Sequence, residues 1–165
     1  MNDTISNQRL SVCHPAIITR VNTAANVLAM EGIYFRVIEG ARSYAESNAD
    51  FQLGRTILTK PDGTPQSKIT NAPAGYSWHN FNMAVDCAPF ISGTGGAIDW
   101  NAASPQFQKM VQALTNAGVP QRGGCKGDAD HFELLEIPAV PTDADRKAFA
   151  VGGLKAVWAQ YQLSS

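Results

Sequence analysis

The chain has 165 residues and a net charge of -1, with 44% hydrophobic and 16% charged residues. This length fits one domain with a core of its own, and the composition excludes an extended disordered chain. No run of lysine or arginine predicts nucleic-acid binding, so we expect the function to come from a local site.

The N-terminal segment lacks the charged start and continuous apolar run of a secretory signal. No stretch approaches the ~20 apolar residues that a membrane span requires. We therefore expect a protein that is made and kept in a cytoplasm unless something else releases it. Cys13, Cys87 and Cys125 form no CxxC pair, which favours small buried residues over a disulfide framework.

Hydrophobic periodicity and turn residues predict alternating helices and strands along the chain. The first helix runs from Pro15 to about Glu31, and Gly32 follows it. A later helix, with Ser104 as its N-cap and proline next, occupies "SPQFQKMVQALTNAG". A short polar helix lies in "RSYAESNADFQLGR", and the predicted strands are "IYFRVIEG", "MAVDCAPF" and "HFELLEI".

The last predicted helix covers about 142–162 and begins with a capping box formed by Thr142 and Asp145. Four residues share one of its faces: Leu154, Val157, Trp158 and Tyr161. This face carries few basic residues, so we expect it to pack on the domain and not on a membrane. The predicted architecture is a single α+β domain, residues 1–165, with a small antiparallel sheet and flanking helices.

Two motifs carry the chemistry, "SWHNFNMAVD" and "DADHFE". Histidine nitrogens and carboxylate oxygens are good zinc ligands, and a catalytic zinc takes three protein ligands with a fourth position open. His79, Asp86 and His131 supply that number if a loop through His79 runs into a strand at Asp86. His131 would then approach from a neighbouring strand.

Asp128 precedes His131 by three residues, on the turn leading into the predicted strand. This position suits a general base that removes a proton from a water polarised by the metal. A metal, a water and a general base are the catalytic components of a zinc peptidase or amidase. The spacing alone remains compatible with a chance arrangement.

The sequence around these residues resembles that of the M15 family of peptidoglycan-cleaving zinc peptidases. The family pattern is Ser-x-His-x-x-Gly-x-Ala-x-Asp followed by Asp-x-x-His. The matching residues are Ser77, His79, Ala84, Asp86, Asp128 and His131. The upstream segments "EGARSYAES" and "LGRT" are also similar, and there Arg42 matches a substrate-contacting arginine. The resemblance spans about residues 10–136.

This resemblance implies a Hedgehog/DD-peptidase-like fold, with His79, Asp86 and His131 as zinc ligands and Asp128 as catalytic base. It also implies that Ser77 holds the substrate, and that Arg42 binds it and stabilises the developing oxyanion. The short Asp-x-x-His form is most similar to phage endolysins that cut the L-Ala–D-Glu bond of peptidoglycan stem peptides. Such a lysin acts as a monomer, collects in the host cytoplasm and reaches the wall after membrane permeabilisation.

Two other functions remain open from the sequence. A D-Ala-D-Ala carboxypeptidase or dipeptidase would use the same metal and base, and a catalytically silent wall-binding module would keep zinc for structure.

Several single residues also have two interpretations. Asn82 replaces the glycine of the family pattern, which suits a left-handed backbone. Ser47 stands where relatives carry glutamine, which puts substrate contacts there in doubt. Glu133 is either a group that orients His131 or a surface carboxylate, and Cys125 is close enough to compete as a ligand. Two further residues are interpreted as parts of helix starts: His14 and Asp99.

Overall fold

A three-stranded antiparallel sheet and five α-helices make up the computed structural model, which describes residues 3–122 and 128–163. The predicted α+β class is therefore confirmed. Within the described residues the strands are β1 (Phe35–Glu39), β2 (Ala84–Pro89) and β3 (His131–Glu133). The helices are α1 (Thr4–Leu10), α2 (Pro15–Ala29), α3 (Tyr44–Gln52), α4 (Pro105–Asn116) and α5 (Asp143–Trp158). A short 3₁₀ helix, Trp78–Phe81, precedes β2.

The central strand β2 sets the register of the sheet. Asp86 lies opposite His131 on β3 and opposite Glu39 on β1. Directly opposed residues of antiparallel strands project from the same face. Polar side chains from all three strands are therefore gathered at one place.

An irregularity in β1 is responsible for part of this arrangement. Val37 pairs with Cys87, but the next paired residue of β1 is Glu39, opposite Asp86, so Ile38 forms a bulge. Without the bulge Ile38 would stand opposite Asp86, and Glu39 would point to the other face.

Helices α2 and α4 begin where the sequence predicts, because their capping residues are local signals. His14 caps α2 through Nδ1, which accepts a hydrogen bond from the Ala16 amide at 3.0 Å. Ser104 caps α4 by accepting from the Phe107 amide at 3.2 Å. The apolar faces of α2 and α4 contact each other and complete the core beside the sheet. Their fully buried residues include Ile17, Val21, Leu28, Phe107, Met110 and Leu114.

Two elements differ from the sequence prediction. The predicted strand "HFELLEI" ends at Glu133, because its partner β2 begins at Ala84 and offers no further residues to pair with. The Leu135 amide instead donates to the Gly118 carbonyl at 3.0 Å. Helix α1 is absent from the prediction, since only Ser6 and Leu10 of it are buried and its apolar periodicity is weak.

Helix α5 starts with the predicted capping box of Thr142 and Asp145, and its backbone breaks at Gly153, where φ is 63°. Beyond the break, Trp158 Nε1 donates to the Phe81 carbonyl at 2.8 Å. Tyr161 donates its hydroxyl to Asp145 at 2.9 Å. The first bond attaches the end of α5 to the 3₁₀ helix, and the second connects Tyr161 to the first turn of α5. Across the described residues, we find no helix with the length and apolar character that spanning a bilayer demands.

Candidate metal centre

The 3₁₀ helix fixes the position of His79. Ser77 caps its start, with Oγ accepting from the His79 amide at 3.4 Å. Asn82 ends it in the left-handed conformation, with φ at 57°, as the sequence predicts for an asparagine in place of glycine. Trp78 and Phe81 are fully buried and anchor the turn in the core. His79 is therefore held by packing on both sides.

Three ligand atoms from distant parts of the chain converge at one point. His79 Nε2 and His131 Nδ1 each lie 3.0 Å from Asp86 Oδ1. The two nitrogens lie 3.1 Å from each other. The structure thus brings together all three residues predicted as ligands, and within the described residues they form a group able to hold a metal ion.

The outer nitrogens of both histidines show where their protons are. His79 Nδ1 lies 2.9 Å from the Gly40 carbonyl oxygen, and His131 Nε2 lies 2.9 Å from Glu133 Oε1. Both oxygens accept, so these nitrogens carry the hydrogens in the neutral rings. The lone pairs of His79 Nε2 and His131 Nδ1 then face the Asp86 carboxylate. Three acceptors around one point require a positive charge between them.

The donor set fits a divalent metal such as zinc. Two imidazoles and one carboxylate are the ligand types and the number of a catalytic zinc site with an open fourth position. Ligand atoms of a tetrahedral zinc stand roughly 3.3–3.4 Å apart for bond lengths near 2.05 Å. The observed separations of 3.0–3.1 Å have to widen by only a few tenths of an ångström. The outer hydrogen bonds to Gly40 and Glu133 are those that metal-binding histidines usually make.

The pKa shifts describe the same demand for positive charge. Burial opposes ionisation of Asp86, but His79 and His131 hold its pKa well below the usual range. Burial lowers the pKa of His131, yet hydrogen bonds with Asp86 and Glu133 outweigh this effect and raise it to about 10. In metal-free protein, a proton on His131 therefore supplies the positive charge that these acceptors attract.

The three predicted ligands line a cavity of about 330 Å³. This volume lies within the range of small-molecule and peptide pockets. All six residues predicted to form the site line it: Arg42, Ser77, His79, Asp86, Asp128 and His131. Asp128 is solvent-exposed on the cavity wall, as a group that exchanges protons with a substrate must be. Its catalytic role, like the roles of the other five, remains a prediction.

Arg42 is held in the cavity by two carboxylates. Its Nε donates to Glu39 Oε1 at 2.6 Å, and its Nη2 donates to Glu39 Oε2. Asp50 Oδ2 lies 3.8 Å from Nε. The bulge in β1 is what turns Glu39 toward this guanidinium, so the sequence alone did not identify Glu39.

Ser47 does not belong to the cavity lining. It is buried, and its Oγ accepts from Asn80 Nδ2 at 2.7 Å. The same amide group donates to the Arg42 carbonyl at 2.8 Å. Ser47 therefore joins α3 to the 3₁₀ helix and supports the backbone of Arg42.

Asp130 is a further acidic group that the sequence prediction missed. Burial, the charge of Asp86 and a hydrogen bond with Asp128 raise its pKa to about 6. Asp130 therefore lies beside the predicted base, Asp128, and hydrogen-bonds with it. The signal was present as the second aspartate of "DADH".

The remaining predicted residues take structural positions. Cys87 is fully buried and follows Asp86 on β2. Because successive side chains of a strand project to opposite faces, the Cys87 side chain points away from the site. Asp99 Oδ1 accepts from the Asn101 amide at 2.9 Å on the approach to α4. Cys125 lies outside the described residues.

Comparison with known proteins agrees with the fold. No family model matches the chain. The peptidoglycan L-alanyl-D-glutamate endopeptidase CwlK of Bacillus subtilis is 25% identical over 132 residues, covering 76% of this chain and 74% of CwlK. The crystal structure of the L-Ala D-Glu endopeptidase ChiX of Serratia marcescens superposes with a TM-score of 0.51 at 20% identity. That match covers 79% of this chain and 86% of ChiX, and it shows the common fold.

The fold is shared with ChiX, and the site is a group of three residues able to hold a metal ion. Both relatives are L-alanyl-D-glutamate endopeptidases, which agrees with the resemblance to the M15 peptidases that the sequence motifs carry.

Proposed function

We propose that the protein is a zinc-dependent peptidoglycan hydrolase that cleaves the L-Ala–D-Glu bond of the stem peptide. The observation that carries this proposal is the convergence of three lone pairs at the base of a cavity whose wall contains Asp128. The activity of CwlK and of ChiX, both L-alanyl-D-glutamate endopeptidases, supports the choice of substrate and bond.

His79, Asp86 and His131 would hold the zinc ion. When bound, zinc supplies an electrophile that polarises the scissile carbonyl and lowers the pKa of the attacking water. Asp128 accepts a proton from this water as the carbonyl carbon is attacked. It then returns the proton to the nitrogen of the leaving amine, which breaks the peptide bond.

Arg42 stabilises the negative charge that develops on the carbonyl oxygen. Glu39 accepts one hydrogen from Nε and one from Nη2, so the donors left for a substrate oxygen are the hydrogens of Nη1 and the second hydrogen of Nη2. The hydrogen bonds to Glu39 hold the guanidinium in place before the substrate binds, which lowers the conformational entropy lost on binding. Ser77 lines the same cavity and presents a hydroxyl to the peptide.

The biological role within this proposal is that of a phage endolysin. The Asp-x-x-His spacing and the similarity of the motifs to phage endopeptidases support it. The enzyme would accumulate as a monomer in the host cytoplasm and act on the wall after the membrane is permeabilised. Expression in a bacterial host should leave growth unaffected until a membrane-permeabilising agent is added, when the culture should lyse.

The deciding experiment combines metal analysis with digestion of purified peptidoglycan. We expect one zinc per chain, and mass spectrometry should find new N-terminal D-Glu and C-terminal L-Ala. Release of free D-alanine would instead identify a carboxypeptidase. Bound zinc without any cleavage would identify a silent wall-binding module.

One variant and a control connect the result to the site. His131→Ala should lose both zinc and cleavage. Asp62→Asn changes an exposed carboxylate that bonds only locally with Thr64 and should behave as the parent protein.

A further inference from the structure

Glu133 lies directly behind His131, on the side away from the metal position. The two residues are two positions apart on β3 and so project from the same face. Glu133 Oε1 lies 2.9 Å from His131 Nε2, and only 2% of the Glu133 surface is exposed. The carboxylate accepts the Nε2 hydrogen, so the Nδ1 lone pair is directed at Asp86 and His79.

Burying this carboxylate is unfavourable for folding. Its second oxygen, Oε2, has no hydrogen-bond partner among the described residues, and Arg122 Nε lies 3.8 Å away, beyond hydrogen-bond distance. A buried acceptor without a partner costs about 1–3 kcal/mol. Stability alone therefore does not account for a glutamate here, whereas its contact with His131 does.

We propose that Glu133 is a positioning residue of the metal centre. By holding the Nε2 hydrogen of His131 it fixes the ring tautomer and orientation and makes Nδ1 a stronger donor to the ion. This inference rests on the proposed zinc-peptidase function. It adds a residue that sets metal affinity without touching the metal or the substrate.

The test measures zinc affinity by competition with a chelator, without any activity assay. Glu133→Leu keeps the volume but removes the acceptor, and zinc should bind 10–100-fold more weakly. Glu133→Gln can still accept through its amide oxygen, so its loss should be smaller. The matched control is Glu136→Gln, three residues along, where the carboxylate pairs with Arg20 at 2.6 Å on the surface. That variant should bind zinc as the parent protein does.

A second measurement uses the unaltered protein and so does not depend on how the variants fold. In ¹⁵N NMR spectra of the zinc-loaded form, His131 should show a protonated Nε2 and a metal-bound Nδ1. A proton on Nδ1, or a Glu133→Leu variant with parental zinc affinity, would overturn the role of Glu133 and leave the proposed peptidase intact. A parent protein that binds no zinc would overturn both.

Discussion

Replacing Gly40 by alanine tests how the backbone orients His79. Gly40 is buried, and its carbonyl accepts the Nδ1 hydrogen of His79 at 2.9 Å. A Cβ added at this glycine would lie 2.4 Å from the Arg9 carbonyl oxygen and 2.8 Å from Cys13 Sγ. Since real Cβ contacts do not fall below 3.0 Å, the backbone of Gly40 or of Arg9 must move by at least 0.6 Å.

Two effects follow from that movement. Overpacking of this kind costs about 1–3 kcal/mol, which corresponds to a fall of roughly 2–12 °C in Tm for a chain of this size. Displacement of the carbonyl also removes the outer contact of His79, so zinc affinity should fall about 10–100-fold. Thermal unfolding followed by circular dichroism measures the first effect, and chelator competition measures the second.

Gly96→Ala provides the comparison for this substitution. Gly96 lies in an exposed loop, and its added Cβ would meet only the Ser92 carbonyl oxygen, at 3.1 Å. That variant should keep the parental Tm and zinc affinity. If Gly40→Ala matched Gly96→Ala in both measurements, the inferred link between packing at Gly40 and the orientation of His79 would be wrong.

Two further predictions concern charge. Asp128→Asn should retain zinc but lose peptidoglycan cleavage by about 10²–10⁴-fold, because the amide cannot accept a proton; cleavage at the parental rate would contradict the proposed base. In metal-free protein, His131 has its pKa raised to about 10, so its stabilising effect is complete below about pH 6.5 and is lost as pH rises toward 10. Urea unfolding should show that His131→Gln weakens this alkaline loss of stability, and an unchanged pH dependence would refute the assignment.

Local sequence patterns predicted the capped helices and the residues around the site. Capping residues such as Ser104 and Thr142 act within a few positions of themselves, so their effect is visible without the fold. The site motifs are also short, and each supplies its residues from one segment. Their chemistry predicted His79, Asp86 and His131 as ligands, and the structure brings these three residues together.

Residues that depend on strand register were not predictable in this way. Glu39 reaches Arg42 only because Ile38 forms a bulge, and nothing in the sequence marks that bulge. The sequence did not decide whether Glu133 orients His131 or is a surface carboxylate. Alternation along β3 predicts which face a side chain occupies but not whether that face is buried. The Gly40 carbonyl is a backbone group, and its part in the site follows from tertiary packing alone.

Asn82 combines a local and a tertiary role, and substitutions can separate them. Its left-handed backbone, with φ at 57°, ends the 3₁₀ helix, and its side chain donates to the Val12 carbonyl at 2.7 Å. Asn82→Gly keeps the backbone but loses the side-chain bond, so it should lower the free energy of unfolding by about 0.5–1.5 kcal/mol. Asn82→Ala loses the bond and also strains the backbone, which should cost roughly 1–2 kcal/mol more. Urea unfolding of both variants measures the difference, and equal stability of the two would show that the left-handed conformation at residue 82 carries no energetic demand.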